Sequence, residues 1–367
     1  MTVRVALVGC GTVARRVHLP GLRAAGADVV AFASRSLQSA EAAAGEWGGG
    51  DVAGDWHELL GRPDVDAIDI CTPNASHAEI ATAAAAAGKH VLVEKPLARN
   101  TEEADRMIEA ARLTGVVLVP AHNARFLGPF VAMREAVARG DVGQVRAFRC
   151  AWGHTGPEHW APAAGWFRDP AVAGGGALID LGVHAADVLR SVLDDQAVAV
   201  SAFLSPRLSP HRDGAGPRRH AGVGPAGQDE VRPAGQDGVE DIAQLVVRFA
   251  GGAIGTLQAS WALAAGSDHQ LTIQGTLGTL HLDERTPPTL LAAGGGDATR
   301  LSLPDHSPSV FDVFVEAVAT GKDPAVTAAD GRAAVALVVA AYRSAASGRA
   351  ELVEPVEQVE AARRGDP

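Results

Sequence analysis

The sequence predicts an α/β protein of two lobes: a doubly wound parallel sheet at the N-terminus, then an α+β region with a mostly antiparallel sheet. Three observations predict it. Short apolar runs alternate with helix-length segments over residues 3–119, the rhythm of βαβ units. Beyond residue 122, apolar runs follow one another across short glycine turns such as 249–252 and 275–278, the spacing of hairpins. The length of 367 residues also exceeds a single core, since cores stop growing beyond ~250–300 residues.

In the first lobe, residues 3–8 read as a buried strand, followed at once by glycine and a helix near 12–25. Residues 29–33, 65–71, 90–94 and 116–119 read as further strands, with helices over 36–46, 76–87 and 101–114. In the second, a helix over 128–139 leads to a strand at 145–150. Strands follow at 197–203, 241–249, 253–260, 269–275 and 278–282, and helices near 310–320 and 327–346 close that lobe. The expected domains are 1–121 and 122–355, with a fraying tail over 356–367. Residues 205–238 break the pattern: Pro and Gly crowd out large aliphatics, and residues 225–231 are nearly repeated at 233–239. Such a stretch buries too little apolar surface to offset its ordering entropy. It reads as a disordered insertion between two strands, with a lid over a site as the alternative.

The charge balance, 32 Lys and Arg against 43 Asp and Glu for a net −11, argues against nucleic acid, whose phosphates want clustered cations. Three scattered cysteines, Cys10, Cys71 and Cys150, make neither a metal spacing nor a disulfide framework, so no metal and a cytoplasmic setting are expected. No apolar run approaches the ~20 residues that cross a bilayer, and no membrane partner is expected.

Gly9-Cys10-Gly11-Thr12-Val13-Ala14 follows a strand and opens a helix. Gly9 permits the tight turn, Gly11 lets backbone approach a pyrophosphate, and Ala14 lets helix and strand pack closely. Thr12 and Val13 start the helix whose N–H groups and dipole favour an anion. A tight turn with no ligand is the competing reading. At the end of the second strand, where an acidic residue would bind a ribose 2′-hydroxyl, stand Ala33-Ser34-Arg35-Ser36. A hydroxyl and a guanidinium suit a 2′-phosphate, so NADP(H) is favoured, with NAD(H) the alternative if Arg35 is merely solvated.

Asp180 and His184 stand four apart in a helical stretch, on one face. The preceding Gly174, Gly175 and Gly176 let the chain pass close to a ligand. An imidazole can take an alcohol proton near neutral pH, and the carboxylate can orient that ring or hold a substrate hydroxyl. Lys95, at a strand end, can stabilise a developing alkoxide. Taken singly, the Asp180/His184 pair is more often an ordinary helix-capping or surface arrangement, and Lys95 more often a solvated lysine.

Together they read differently. Gly9-x-Gly11-x-x-Ala14, Cys71-Thr72-Pro73-Asn74 with His77, Gly88 through Glu94-Lys95-Pro96, Asn123-Ala124-Arg125-Phe126 and Gly174 through Asp180 and His184 resemble the Gfo/Idh/MocA oxidoreductases, from residue 3 to about 345 outside the insertion. The resemblance implies an N-terminal Rossmann domain and a C-terminal α+β domain whose open sheet makes a homodimer or homotetramer. It implies a catalytic Lys95, Asp180 and His184, a cis Lys95–Pro96 bond, and Thr72, Pro73, Asn74, His77 and Glu94 lining the cofactor pocket. Asn123 falls beside cofactor and Arg125 beside substrate. Trp166 is a nicotinamide contact or a core residue, and His154, His159 and Trp160 lie in a stretch that faces substrate.

The expected activity is reversible oxidation of a secondary hydroxyl on a sugar, amino sugar or cyclitol. A dinucleotide sensor without catalysis and a glycosidase that cycles NAD are the rivals. A hydrolase metal site finds no ligand spacing.

Overall fold

The computed structural model describes residues 2–159, 161, 164–206, 238–283, 286–292 and 297–356. Trp160, residues 207–237 of the expected insertion and residues 357–367 of the expected tail lie outside them.

The first lobe runs β1 (Arg4–Val8), α1 (Leu19–Ala24), β2 (Asp28–Ala33), α2 (Leu37–Trp47), β3 (Asp51–Ala53) and α3 (His57–Leu60). It continues with β4 (Ala67–Ile70), α4 (His77–Ala86), β5 (His90–Val93), α5 (Thr101–Thr114) and β6 (Leu118–Pro120). Its six strands are parallel in the order β3-β2-β1-β4-β5-β6. The order reverses at β1/β4, and ligands of open α/β sheets bind at such a crevice, beyond the strands' carboxyl ends. Sheet faces are apolar on both sides because helices cover both. β3, too short and exposed to show as an apolar run, escapes the sequence reading.

The second lobe runs α6 (Gly128–Ala138), β7 (Val145–His154), α7 (Pro170–Ala173), α8 (Val183–Leu193), β8 (Ala197–Pro206), β9 (Glu240–Phe249), β10 (Ile254–Ser260), β11 (Ser267–Gly275), β12 (Gly278–Asp283), β13 (Thr286–Ala292) and β14 (Thr299–Arg300). Then come α9 (Val310–Thr320), α10 (Ala328–Ser347) and β15 (Glu351–Leu352). Nine strands order as β14-β13-β12-β11-β7-β10-β9-β8-β15, antiparallel except for the β7/β10 pair. One face packs on α6, α8 and α10; the other exposes Phe203, Val246 and Ile254. Residues 207–237 fall between β8 and β9, which pair directly.

Two expectations change. The helix expected to close the second lobe, α9, instead packs on the first: Val310, Phe311 and Phe314 join Leu19, Leu22 and Val29. Its apolar face identifies a helix, not the sheet it covers. The stretch Pro170–Leu193 is apolar and long enough to span a bilayer, but 83% of its most apolar window is buried inside the fold. Core burial explains that composition.

α10 packs on α5 of the first lobe and on α8 and β8 of the second, so one helix holds both lobes in register. Capping boxes at Ser309/Asp312 and Thr327/Asp330 start α9 and α10.

Candidate active site

Gly9 has φ +93°, and a Cβ there would lie 2.6 Å from the Cys71 carbonyl oxygen. Both the turn and the neighbouring strand therefore require glycine. Gly11 differs: a Cβ would meet no protein atom within 4 Å. Only something outside the chain gains from the space it leaves, as a pyrophosphate approaching the backbone would.

Around this turn opens a cleft of about 510 Å³ lined by Gly9, Gly11, Thr12, Val13, Ser34, Arg35, Thr72, Pro73 and Trp166. These nine of the expected cofactor residues share one space. Arg35 is exposed at its edge, and Ser36 is spent on capping α2 through Ser39. Trp166 stacks on Phe167 with ring centroids 3.9 Å apart, so it faces both cleft and core. Trp56, unmarked in the sequence, also lines the cleft and stacks on His57 at 3.7 Å.

Other expected cofactor residues hold the frame instead of lining this cleft. Asn74 is buried and donates to the Ala173 carbonyl at 2.7 Å, tying the first lobe to the second. His77 places its ring nitrogens 2.9 Å from the Pro96 oxygen and 3.0 Å from the Thr72 oxygen. It thereby fixes the cofactor loop and the lysine loop to one ring. Glu94 accepts from His18 at 2.9 Å. Asn123 keeps an enclosed Oδ1 without a protein partner at the head of the 123–126 turn.

The Lys95–Pro96 peptide is cis. Lys95 Nζ donates to the Asp180 Oδ1 at 2.6 Å and to the Asp180 carbonyl at 3.0 Å. Trp261 Nε1 donates to Oδ2 at 2.9 Å, and His154 Nε2 lies 3.6 Å from the same oxygen. Burial would raise the Asp180 pKa, but Lys95 and His154 outweigh it and hold the carboxyl well below its usual range. His154 Nδ1 accepts from the Gly156 amide at 2.8 Å, which leaves its Nε2–H facing Asp180.

Asp180 was expected to share a helix face with His184. It sits instead in a π-turn, Leu178–Gly182, ahead of α8. Its carboxylate is taken up by Lys95 and Trp261, not by the His184 ring. The extra residue in the π-turn breaks the α spacing from which the pairing was read. His184 stacks on Trp152, centroids 5.9 Å apart and nearly parallel. Its Nδ1 is enclosed without a partner while the residue as a whole stays partly accessible. Nε2 is therefore the nitrogen free to meet a ligand. Burial first, then the charge on Lys95, lowers its pKa well below the usual imidazole value.

The glycine triplet serves the protein. A Cβ on Gly175 would lie 1.9 Å from the Tyr342 hydroxyl oxygen, and one on Gly176 would lie 2.1 Å from the Glu240 carbonyl oxygen. Buried Glu240 accepts from the Gly176 and Leu178 amides and from Tyr342, capping the segment that carries Asp180. The expected approach to ligand is an approach to Glu240 and Tyr342.

Arg125, expected beside substrate, is engaged within the protein. It is buried and forms a two-pronged ion pair with Asp187, and Asp330 lies 3.5 Å away. His159 is exposed in the Pro157–His159 turn and makes no bond to Lys95, Asp180 or His184.

Sequence reasoning missed a buried charge network behind Lys95. His18, in a π-turn of its own (Ala14–His18), bonds Asp69 through Nδ1 at 2.9 Å and Glu94 through Nε2 at 2.9 Å. Both partners are acceptors, so the ring donates twice and is an imidazolium. Burial opposes that charge, but Asp69 prevails and the pKa lies well above its usual value. Asp69, a carboxylate inside the apolar strand β4, was the available signal. Cys71 brings its sulfur near this pair, but both His18 nitrogens are already bonded to carboxylates.

This arrangement of sheet, cleft and lysine matches known proteins. Residues 3–122 fit the model of the oxidoreductase family with an NAD-binding Rossmann fold, and residues 130–281 fit the GFO/IDH/MocA C-terminal domain. A 1,5-anhydro-D-fructose reductase of Ensifer adhaerens is 34% identical over 96% of this chain and 98% of its own. The chain belongs to the Gfo/Idh/MocA oxidoreductases. Among other members, a myo-inositol 2-dehydrogenase of Thermotoga maritima is 29% identical over 82% of this chain and 84% of its own. A levoglucosan dehydrogenase solved with NADH and levoglucosan superposes with a TM-score of 0.80 and 26% identity, covering 96% of this chain and all of that one. The match to this family supports an enzyme, a dehydrogenase or reductase that uses a nicotinamide dinucleotide.

Proposed function

We propose that the protein reversibly oxidises a secondary ring hydroxyl of a sugar, amino sugar or cyclitol. The single observation that carries this is the Lys95–Asp180 pair at the seam of the two lobes, with His184 on the next helical turn. A bound nicotinamide dinucleotide supplies the hydride acceptor. The open Gly11 and the cleft around it fit its pyrophosphate.

Asp180 and Trp261 fix the lysine, and Lys95 polarises the substrate oxygen and stabilises the alkoxide that develops on it. His184 Nε2 takes the hydroxyl proton, and its lowered pKa keeps it a free base at neutral pH. Trp152 holds the imidazole plane by stacking. Relatives that are inositol or levoglucosan dehydrogenases support the substrate class.

Arg35 lines the cleft and no Asp or Glu is among the described residues that line it, which supports NADP(H) over NAD(H). The test is a panel of polyols, hexoses and amino sugars with each dinucleotide, followed by absorbance of the reduced nicotinamide. Turnover with at least one cyclic polyol is expected, with a lower KM for NADP. Binding without turnover across the panel would favour a sensor. Equal KM values would remove the role given to Arg35. The exposed apolar row Phe203, Val246 and Ile254 supports assembly through the open sheet, which light scattering of Val246→Glu checks.

A further inference from the structure

We infer that Trp56 is the platform on which the adenine ring of the dinucleotide stacks, and that Asp55 and His57 hold that platform in place. The inference rests on the part of the proposed function that lays the dinucleotide from Gly11 toward Lys95. The substrate and the proton chemistry of His184 do not enter it.

The order of strands along the sheet sets which end of the dinucleotide lies where. All six strands of the first lobe are parallel, so the loops leaving their carboxyl ends share one edge. Along that edge, in sheet order, stand Trp56 after β3, Arg35 after β2, Gly11 after β1, Thr72 after β4 and Lys95 after β5. The pyrophosphate belongs at Gly11, where helical N–H groups begin. The nicotinamide has to reach the substrate oxygen held by Lys95, which lies on the β4/β5 side. The adenosine half is then left on the β2/β3 side, where Arg35 and Trp56 both line the cleft. β3 and β5 are four strand spacings apart, about 19 Å, a span suited to an extended dinucleotide.

The side chain at that end is fitted to a flat ring. Trp56 is half-buried at the cap position of α3 and gives part of its surface to the cleft. The His57 imidazole covers one face of the indole, with ring centroids 3.7 Å apart and planes 23° from parallel. Asp55 Oδ1 accepts from the His57 amide at 3.0 Å and lies 2.6 Å from its ring Nδ1, which clamps the imidazole. With that face taken, the opposite face and rim of the indole remain for the cleft.

Room and polarity agree. Gly54 also lines the cleft, and a Cβ there would come no nearer than 3.7 Å to any atom beyond its chain neighbours. Ile80, from α4 on the other side of the cleft's glycine turn, adds an apolar wall. A purine between an indole and aliphatic surface needs no hydrogen bond to be held, because every base has a π-face to stack.

Calorimetric titration of the whole protein separates the two ends without any substrate. One probe is ADP-ribose, which keeps adenosine and pyrophosphate; the other is reduced nicotinamide mononucleotide, which keeps the opposite half. Trp56→Ala should weaken ADP-ribose and NADP about tenfold or more, the effect of one lost base–aromatic stack, and leave the mononucleotide within about twofold. Trp56→Phe, which keeps a ring, should stay within about threefold of wild type, and His57→Ala should fall between the two variants. Folded Trp56→Ala with a lowered melting temperature but unchanged ADP-ribose affinity overturns the inference, since Trp56 then serves the fold alone. An equal loss for the mononucleotide overturns it as well. A wild type that binds neither ADP-ribose nor a dinucleotide overturns the cofactor cleft itself, and the stack with it.

Discussion

Two glycine-rich segments each precede a helix with a π-turn, and they serve opposite masters. In residues 9–14, Gly9 is demanded by the Cys71 backbone, while Gly11 faces open space in the cleft. In residues 174–176, crowding comes from Tyr342 and the Glu240 backbone. Both look alike as text. The first leaves room for a ligand, and the second lets buried Glu240 cap the segment that delivers Asp180 and His184. Glycine content marks close approach, and only three-dimensional structure says whether ligand or protein does the approaching.

The largest effect expected across this divide is chemical. Lys95→Ala and His184→Ala should each lower kcat by about 10³-fold, with dinucleotide affinity within a few-fold by fluorescence titration. Near-normal turnover in either variant would remove that side chain from the chemistry. Next comes the second glycine segment. Gly175→Ala, with φ +155° and a tyrosine hydroxyl in the way, should cost about 3 kcal/mol in denaturant unfolding. An unchanged midpoint would mean that Tyr342 swings aside freely.

Gly11→Ala sharpens the contrast in the other direction. Its melting temperature should match the wild type, because no protein atom is crowded, while dinucleotide Kd rises about tenfold or more, ~1.4 kcal/mol. Lost stability with unchanged affinity would reverse the roles given to the two segments.

The smallest effect is in pH dependence. His77, His122 and His184 all have pKa values lowered from 6.5, so the unfolded chain binds more protons below that value. Their linkage makes stability fall as pH drops below about 6.5 and leaves it flat above. His18, with its raised pKa, acts oppositely: its contribution is complete below 6.5 and fades as pH rises through its elevated value. Thermal melts from pH 5 to 9 should therefore decline on the acid side by the first group and on the alkaline side by His18. In His18→Asn the alkaline decline should weaken; its persistence would assign it elsewhere.

Much of the fold was legible because periodicity reports burial: the strands of the parallel sheet are continuous apolar runs, and α5 is bounded by an Asn100 cap and Gly115. What escaped was short or non-local. β3, β13, β14 and β15 carry little apolar pattern, and α9 reveals an apolar face but not its neighbour. In the site, Lys95, Asp180 and the residues around Gly9 were readable from motif order. The ion pair of Arg125 was not legible, because an arginine beside a motif looks the same whether or not it meets Asp187, sixty-two positions away. His18, Trp261, Glu240 and Tyr342 act through partners remote in sequence, and the π-turns that aim His18 and Asp180 leave no periodic trace.

The central claim is that an ammonium from the first lobe and an imidazole from the second meet at one substrate oxygen. A crystal structure of the ternary complex with dinucleotide and a turned-over polyol tests it most directly. Lys95 Nζ and His184 Nε2 should both lie within about 3.2 Å of the same secondary hydroxyl, with its carbon facing the nicotinamide. A hydroxyl bound by only one of them, or a nicotinamide seated away from that carbon, would contradict it.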